Sequence, residues 1–270
     1  EPNTIQRFLQ RGVQVGNDVQ VNTSGESYVL WQWLVGDSAT TGSTTSPAGS
    51  IASTSIVADA GHFAIISYTG NATAGATIGH GMSGAPEMIW VKERDNANGW
   101  IVSTPDIGFN KVVRIDTDAP EGVDTGAFNS TAPSSTLITL GSNNGTNRSS
   151  GAMICYAFRS IPGVCKIGIY TGNGVADGPY ISLGFKPAWL MCKNLDSAGS
   201  WIIFDNKREG YNFNNHHVMA DTSAIEADDS DIDLVSNGFK CRRSSTSFNS
   251  SESFVYVAFA ETPYQFANAR

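Results

Sequence analysis

Tyr68-Thr69-Gly70-Asn71 and Tyr170-Thr171-Gly172-Asn173 are the same four residues, 102 positions apart. The match continues outward from this tetrapeptide. Pro86 leads into Met88-Ile89-Trp90-Val91-Lys92, Asp95, Ala97 and Trp100-Ile101; Pro187 leads into Trp189-Leu190-Met191-Cys192-Lys193, Asp196, Ala198 and Trp201-Ile202. Gly108-Phe109-Asn110 answers Gly210-Tyr211-Asn212, and Tyr156-Ala157-Phe158 answers Val257-Ala258-Phe259, with the offset staying at 101 or 102. Ordered agreement over this span marks an internal duplication. A third, partial copy lies in front: Gly12-Val13 through Tyr28-Val29-Leu30-Trp31-Gln32-Trp33 has the spacing of Gly238-Phe239 through Phe254-Val255-Tyr256-Val257-Ala258-Phe259. The chain is therefore expected to open in the tail of an earlier repeat, as an excerpt from a longer array. Residues 1–60 would hold that tail and a linker, 61–163 the first full copy and 164–270 the second.

Within each copy, short β-prone runs recur between Gly/Asn/Ser/Asp turns. Phe63 to Tyr68, Met88 to Lys92, Trp100 to Ser103, Lys111 to Ile115, Leu137 to Leu140 and Met153 to Phe158 are such runs. This spacing predicts an all-β chain, with each copy of about 100 residues a β-sandwich or jelly roll. Helical periodicity is confined to weak candidates at 4–11 and 221–227. Residues 36–55 are rich in Ser, Thr and Gly and read as a linker or surface loop.

The 270 residues carry a net charge of −8 and no basic run, which argues against a nucleic-acid partner because a phosphate backbone demands a basic face. Charged residues make up only 16%, so the polar surface must come from Ser, Thr, Asn and Gly, a habit of virion and extracellular β proteins. No apolar run approaches the roughly 20 residues of a helical membrane span, and no membrane insertion is expected. Cys155, Cys165, Cys192 and Cys241 form no C-x-x-C pair, and three lie in apolar runs. They read as buried thiols, although one copy contains both Cys192 and Cys241 and a bridge between them stays open.

No G-x-S-x-G, H-E-x-x-H or P-loop pattern is present. Asp205 and Glu209 could serve as a glycosidase carboxylate pair only if they faced each other across a cleft. The acidic stretch at 226–233 offers Asp228, Asp229 and Asp231 as oxygen ligands for a hard cation such as Ca²⁺, without the EF-hand pattern; no other cofactor is expected. The most site-like segment is 208–217. Tyr211 and Phe213 could stack on sugar rings, Asn212 and Asn214 could hydrogen-bond hydroxyls, and His216 lies alongside; Phe109 and Asn110 are their counterparts in the first copy. The alternative is that Gly-[Phe/Tyr]-Asn is a structural turn with its ring in the core. Trp100 and Trp201 read as core.

Tyr68-Thr69-Gly70-Asn71-Ala72-Thr73-Ala74-Gly75-Ala76-Thr77-Ile78-Gly79-His80-Gly81, with Ala85-Pro86-Glu87-Met88-Ile89, Gly184-Phe185-Lys186-Pro187-Ala188-Trp189 and the ending from Ala258-Phe259-Ala260-Glu261 to Arg270, resembles a repeat of tailed-phage virion proteins, notably marine ones. The resemblance covers about residues 12–270. It implies a lectin-like, concanavalin-like sandwich in a tail-fibre or appendage protein on the virion surface, assembled in the host cytoplasm. Implied partners are other virion proteins, further copies of the chain (as a trimer in many fibres) and a host-surface glycan. It brings no catalytic residue.

Overall fold

Alternation sets the strands. In Ala152-Met153-Ile154-Cys155-Tyr156-Ala157-Phe158, Met153, Cys155 and Ala157 enter one core while Ile154 and Tyr156 face the other way, the period of a pleated strand. The computed structural model describes residues 4–9, 12–33, 35, 44–46, 48–209, 211–229 and 232–261. The chain divides into two compact units, Glu1–Trp33 and Leu34–Arg270.

In the first unit, β1 (Ile5–Leu9) pairs antiparallel with β2 (Gly12–Val15), and Asp18 caps a single turn, α1 (Val19–Asn22), by accepting from Gln20 N at 2.9 Å. Within the helical candidate at 4–11, Ile5–Leu9 is thus a strand, because the β2 ladder pairs its backbone whereas an isolated helix this short is marginal in water. Residues 28–33 form no strand, although they match the last strand of the later copies. There the equivalent segment has a neighbour on each side; here Tyr28 folds back, its hydroxyl accepting from Thr23 N and donating to Val19 O.

The second unit begins with β3 (Thr44–Ser46) and β4 (Ser53–Val57), strands in the stretch expected to be a linker. The alternation of β4 is hidden because its inward residues are Ser53 and Ser55, small enough to pack beside Gly79 and Gly81; Ser53 Oγ donates to Gly79 O at 2.9 Å. There follow β5 (Phe63–Thr69), β6 (Thr77–Gly79), β7 (Met88–Glu93), β8 (Ile101–Ser103), β9 (Lys111–Arg114), β10 (Gly122–Val123), α2 (Thr125–Phe128), β11 (Leu137–Thr139), α3 (Asn144–Asn147) and β12 (Ala152–Phe158). They make an eight-stranded antiparallel sheet, β10-β9-β8-β7-β12-β5-β4-β3, and a pair, β11-β6. Ile78 and Ile138 from the pair pack with Ile66, Ile89, Ile101, Cys155 and Phe128 in one core.

Next come β13 (Cys165–Thr171), β14 (Tyr180–Ser182), β15 (Pro187–Asn194), β16 (Ile202–Asp205), β17 (Val218–Met219), β18 (Ile232–Val235), β19 (Gly238–Cys241) and β20 (Ser253–Ala260). Their sheets are β13-β20-β15-β16-β17 and β14-β19-β18. The pairings β5–β12–β7–β8 recur as β13–β20–β15–β16. The second core joins Leu190, Ile202, Phe204, Leu234, Phe239 and Phe254. Residues 221–227, the other helical candidate, contain no helix.

The repeated Tyr-Thr-Gly-Asn acts as a fastener. The hydroxyls of Tyr68 and Tyr170 donate to Thr146 O and Phe248 O at 2.5 and 2.6 Å. A Cβ on Gly70 would collide with Arg148 O, and one on Gly172 with Ser250 O, so only glycine lets these backbones approach. Asn71 N and Asn173 N then donate to the buried side-chain oxygens of Asn147 and Asn249 at 2.8 and 3.0 Å.

The two copies also touch. Phe158 and Phe259 have ring centroids 6.1 Å apart, Trp201 Nε1 donates to Arg114 O at 2.6 Å, and the buried Lys193 ammonium donates to Asp118 O at 2.6 Å. Trp201 is fully buried; Trp100 is half-buried, tilted against Tyr156. All four cysteines are buried and free. No helix among the described residues is long and apolar enough to cross a membrane.

Candidate functional site

The loops joining β8 to β9 and β16 to β17 carry the two Gly-[Phe/Tyr]-Asn elements and differ in length. Ile101 pairs with Arg114, whereas its equivalent Ile202 pairs with Met219, so the second loop is four residues longer. The insertion reverses the fate of the aromatic ring. Phe109 is only 4% exposed and packs edge-on against Phe128 at 5.7 Å, so as a sugar-stacking residue it is corrected to a core residue. Asn110 is exposed, but the ring beside it is not available. Tyr211 and Phe213 are 71% and 54% exposed.

The longer loop is held from below by ion pairs. Arg208 Nε meets Asp205 Oδ2 at 2.6 Å, Nη1 meets Glu226 Oε2 at 2.7 Å, and Nη2 donates to Ile203 O at 3.0 Å. Burial alone would raise the Asp205 pKa; the Lys207 amide and the Arg208 guanidinium outweigh it and hold the carboxyl below its ordinary value. Glu209 Oε2 accepts from Asn215 N at 2.7 Å, and His216 Nδ1 lies 3.1 Å from Glu226 Oε1. Asp205 and Glu209 are thus both engaged in holding the loop, one to a guanidinium and one to backbone amides. Arg208→Ala is expected to cost about 3–5 kcal/mol, because it leaves the buried Asp205 carboxylate without its cation. Urea unfolding reads the loss, and limited proteolysis within 209–217 should accelerate with it.

The loop also adds itself to β18. Asn214 N donates to Ile232 O at 2.7 Å and Ile232 N to Asn214 O at 2.9 Å. Asn212 mimics a strand partner: its Nδ2 donates to Leu234 O at 3.0 Å and its Oδ1 accepts from Leu234 N at 2.9 Å. Its amide, expected to face ligand hydroxyls, is therefore committed to backbone. Asn214 Nδ2 is likewise used, on Asp205 O at 2.5 Å. Beside the Tyr211 ring opens a cleft of about 70 Å³ lined by Lys186, Asn206, Tyr211, Asn212, Asn214 and Leu234. The structure therefore brings Tyr211, Asn212 and Asn214 together with Asn206, Lys186 and Leu234, which the sequence did not single out. Phe213 is adjacent along the loop, His216 belongs to the ion-pair layer, and Phe109 and Asn110 lie in the other copy.

The acidic stretch is partly neutralised by protein cations. Glu226 turns to Arg208 and His216, and Asp229 O accepts from Arg243 Nη1. Asp229 Oδ1 lies 3.8 Å from Nε2 of His217, whose pKa burial pushes down. Asp228 is exposed, and Asp231 lies outside the described residues. Among the described residues no group of three His, Cys, Asp or Glu is arranged to hold a metal ion.

A family model described as a domain of unknown function, DUF7483, matches residues 1–263. The chain belongs to this family. No curated protein and no solved structure matches it. The DUF7483 match spans the leading unit and both copies.

Proposed function

We propose that this DUF7483 chain is a non-catalytic module of a tailed-phage virion appendage, built of tandem β-sandwich units of the jelly-roll, concanavalin-like kind, and that it contributes to recognition of a glycan on the host surface. The observation that carries the recognition part is the exposed Tyr211 ring on a cleft walled by amide side chains, with exposed Phe213 two residues along the same loop. Aromatic faces take the apolar side of a sugar ring, and a concave polar floor fixes its orientation. A ligand-free fibre shaft or capsid decoration would have no use for two large rings held in water on a braced loop. The non-catalytic part is supported by Asp205 and Glu209, whose carboxylates serve the brace. Association with other virion proteins and further copies of the chain, trimeric in the simplest fibre, would turn a weak site into avidity.

The test is adsorption of the multivalently displayed protein to host cells and to a glycan array. Wild type should bind, and Tyr211→Ala/Phe213→Ala should lose at least tenfold in apparent affinity with unchanged thermal unfolding. Equal binding by both proteins would remove the site from the proposal.

A further inference from the structure

The cleft floor has a chemical polarity that narrows the ligand. Asn206 Oδ1 and Asn214 Oδ1 are both buried and have no hydrogen-bond partner in the protein. Asn214 is only 2% exposed. A buried acceptor without a donor is destabilising, and two among the residues lining one cleft mark a place where donors are to be supplied from outside. Of the amide donors nearby, Asn212 Nδ2 is spent on Leu234 O and Asn214 Nδ2 on Asp205 O, while Asn206 Nδ2 is buried without a partner. The one ammonium of the lining, Lys186, is paired with Glu261 at 2.9 Å, and Lys207 approaches the same carboxylate at 3.7 Å. Glu261, held below its ordinary pKa by the Lys186 hydrogen bond, is a fixed negative charge at this end of the cleft.

Resting on the glycan reading above, we propose that the cleft is an acceptor-lined subsite for an uncharged sugar, taking two of its hydroxyl groups on Asn206 Oδ1 and Asn214 Oδ1 while Tyr211 covers the ring face. Sugar hydroxyls are donors and suit this floor. Carboxylate, sulfate and phosphate groups are acceptors; they would face two like dipoles and the Glu261 charge, with one neutral amide donor, Asn206 Nδ2, to meet them. A cleft of about 70 Å³ takes a few hydroxyl-sized groups, so one edge of a ring enters and the rest of the glycan stays outside. This selects for a terminal or branch residue.

The experiment uses the full chain, displayed multivalently, against three probe sets: neutral hexose oligosaccharides, sialylated glycans, and sulfated or phosphorylated glycans, each at low salt and at 0.5 M NaCl. The expected result is binding confined to neutral probes and changed less than twofold by salt, since no ion pair forms. Asn206→Ala, at a partly exposed position, should weaken that binding at least tenfold with unchanged thermal unfolding. Asn206→Lys, which replaces an acceptor with a charged donor, should move binding toward the anionic probes. Salt-sensitive binding of sialylated or sulfated probes by the wild type, or neutral binding indifferent to Asn206→Ala, would overturn the subsite while leaving glycan recognition standing. Binding of no probe from any set would overturn the recognition reading itself.

Discussion

Asn249→Ala is expected to lower the unfolding free energy by roughly 3–5 kcal/mol, and Asn147→Ala by a similar amount. Each side chain is fully buried and occupies three backbone groups at once. Asn249 Oδ1 accepts from Asn173 N at 3.0 Å, and Nδ2 donates to Val175 O at 2.9 Å and Arg243 O at 2.8 Å. Asn147 does the same with Asn71 N at 2.8 Å, Thr73 O at 3.1 Å and Gly141 O at 2.7 Å. Truncation breaks three hydrogen bonds to largely part-buried backbone groups in each case, which is why the cost exceeds that of one ordinary hydrogen bond. Asn→Asp should be worse than Ala, since it forfeits both donations and buries a charge. Urea denaturation of both alanine variants measures the effect; a loss below 1 kcal/mol would mean that water replaces the amide at no cost.

Stability should fall steeply above pH 9, because the thiols ionise only in the unfolded chain. Burial pushes Cys165 and Cys192 from their ordinary 9.0 up to about 12, and raises Cys155 and Cys241 as well. A group whose native pKa is raised keeps its stabilising effect below its unfolded value and loses it as the pH climbs toward the native one. Each thiol therefore removes about 1.4 kcal/mol per pH unit above 9, so four together remove roughly 6 kcal/mol per unit. Lys193 acts in the opposite direction. Its pKa is pushed from 10.5 down to about 8, chiefly by burial, so it adds stability as the pH rises between those values. One lysine against four thiols leaves the slope negative. Unfolding free energies at pH 8, 9.5 and 10.5 should show the fall, and Cys155→Ala should make the slope shallower by about 1.4 kcal/mol per pH unit after its own fixed cost. A slope unchanged in that variant would show that the thiols are not its source.

The parts of the fold legible in the sequence are those where side-chain size carries the alternation. Met88 to Lys92 and Met153 to Phe158 announce β7 and β12 because Ile89, Val91, Cys155 and Ala157 are apolar and face one core. β4 escaped notice because Ser53 and Ser55 stand at its buried positions. The single turns α2 and α3 are too short to show any period. At the site, Gly-Phe-Asn and Gly-Tyr-Asn look alike as strings. What separates a core ring from an exposed one is a four-residue difference between two strand pairings, and pairing registers are not written locally. The brace was equally hidden, since Arg208 finds Glu226 eighteen residues on, across a loop.

The placement of the first and last strands in each copy has a mechanical consequence. Phe63 at the start of β5 pairs with Phe158 at the end of β12, and Cys165 at the start of β13 with Phe259 near the end of β20. The second copy is thus entered and left at the same end of one antiparallel ladder, whereas in the first β3 and β4 precede β5 on the same sheet. Tension along the polypeptide would load the second copy's ladder one rung at a time, as in a zipper, instead of shearing all rungs together. Peeling would start at Cys165–Phe259 and reach the Tyr-Thr-Gly-Asn fastener last. Under load the second copy would behave as an extensible link, yielding at its seam and re-closing from a stapled end.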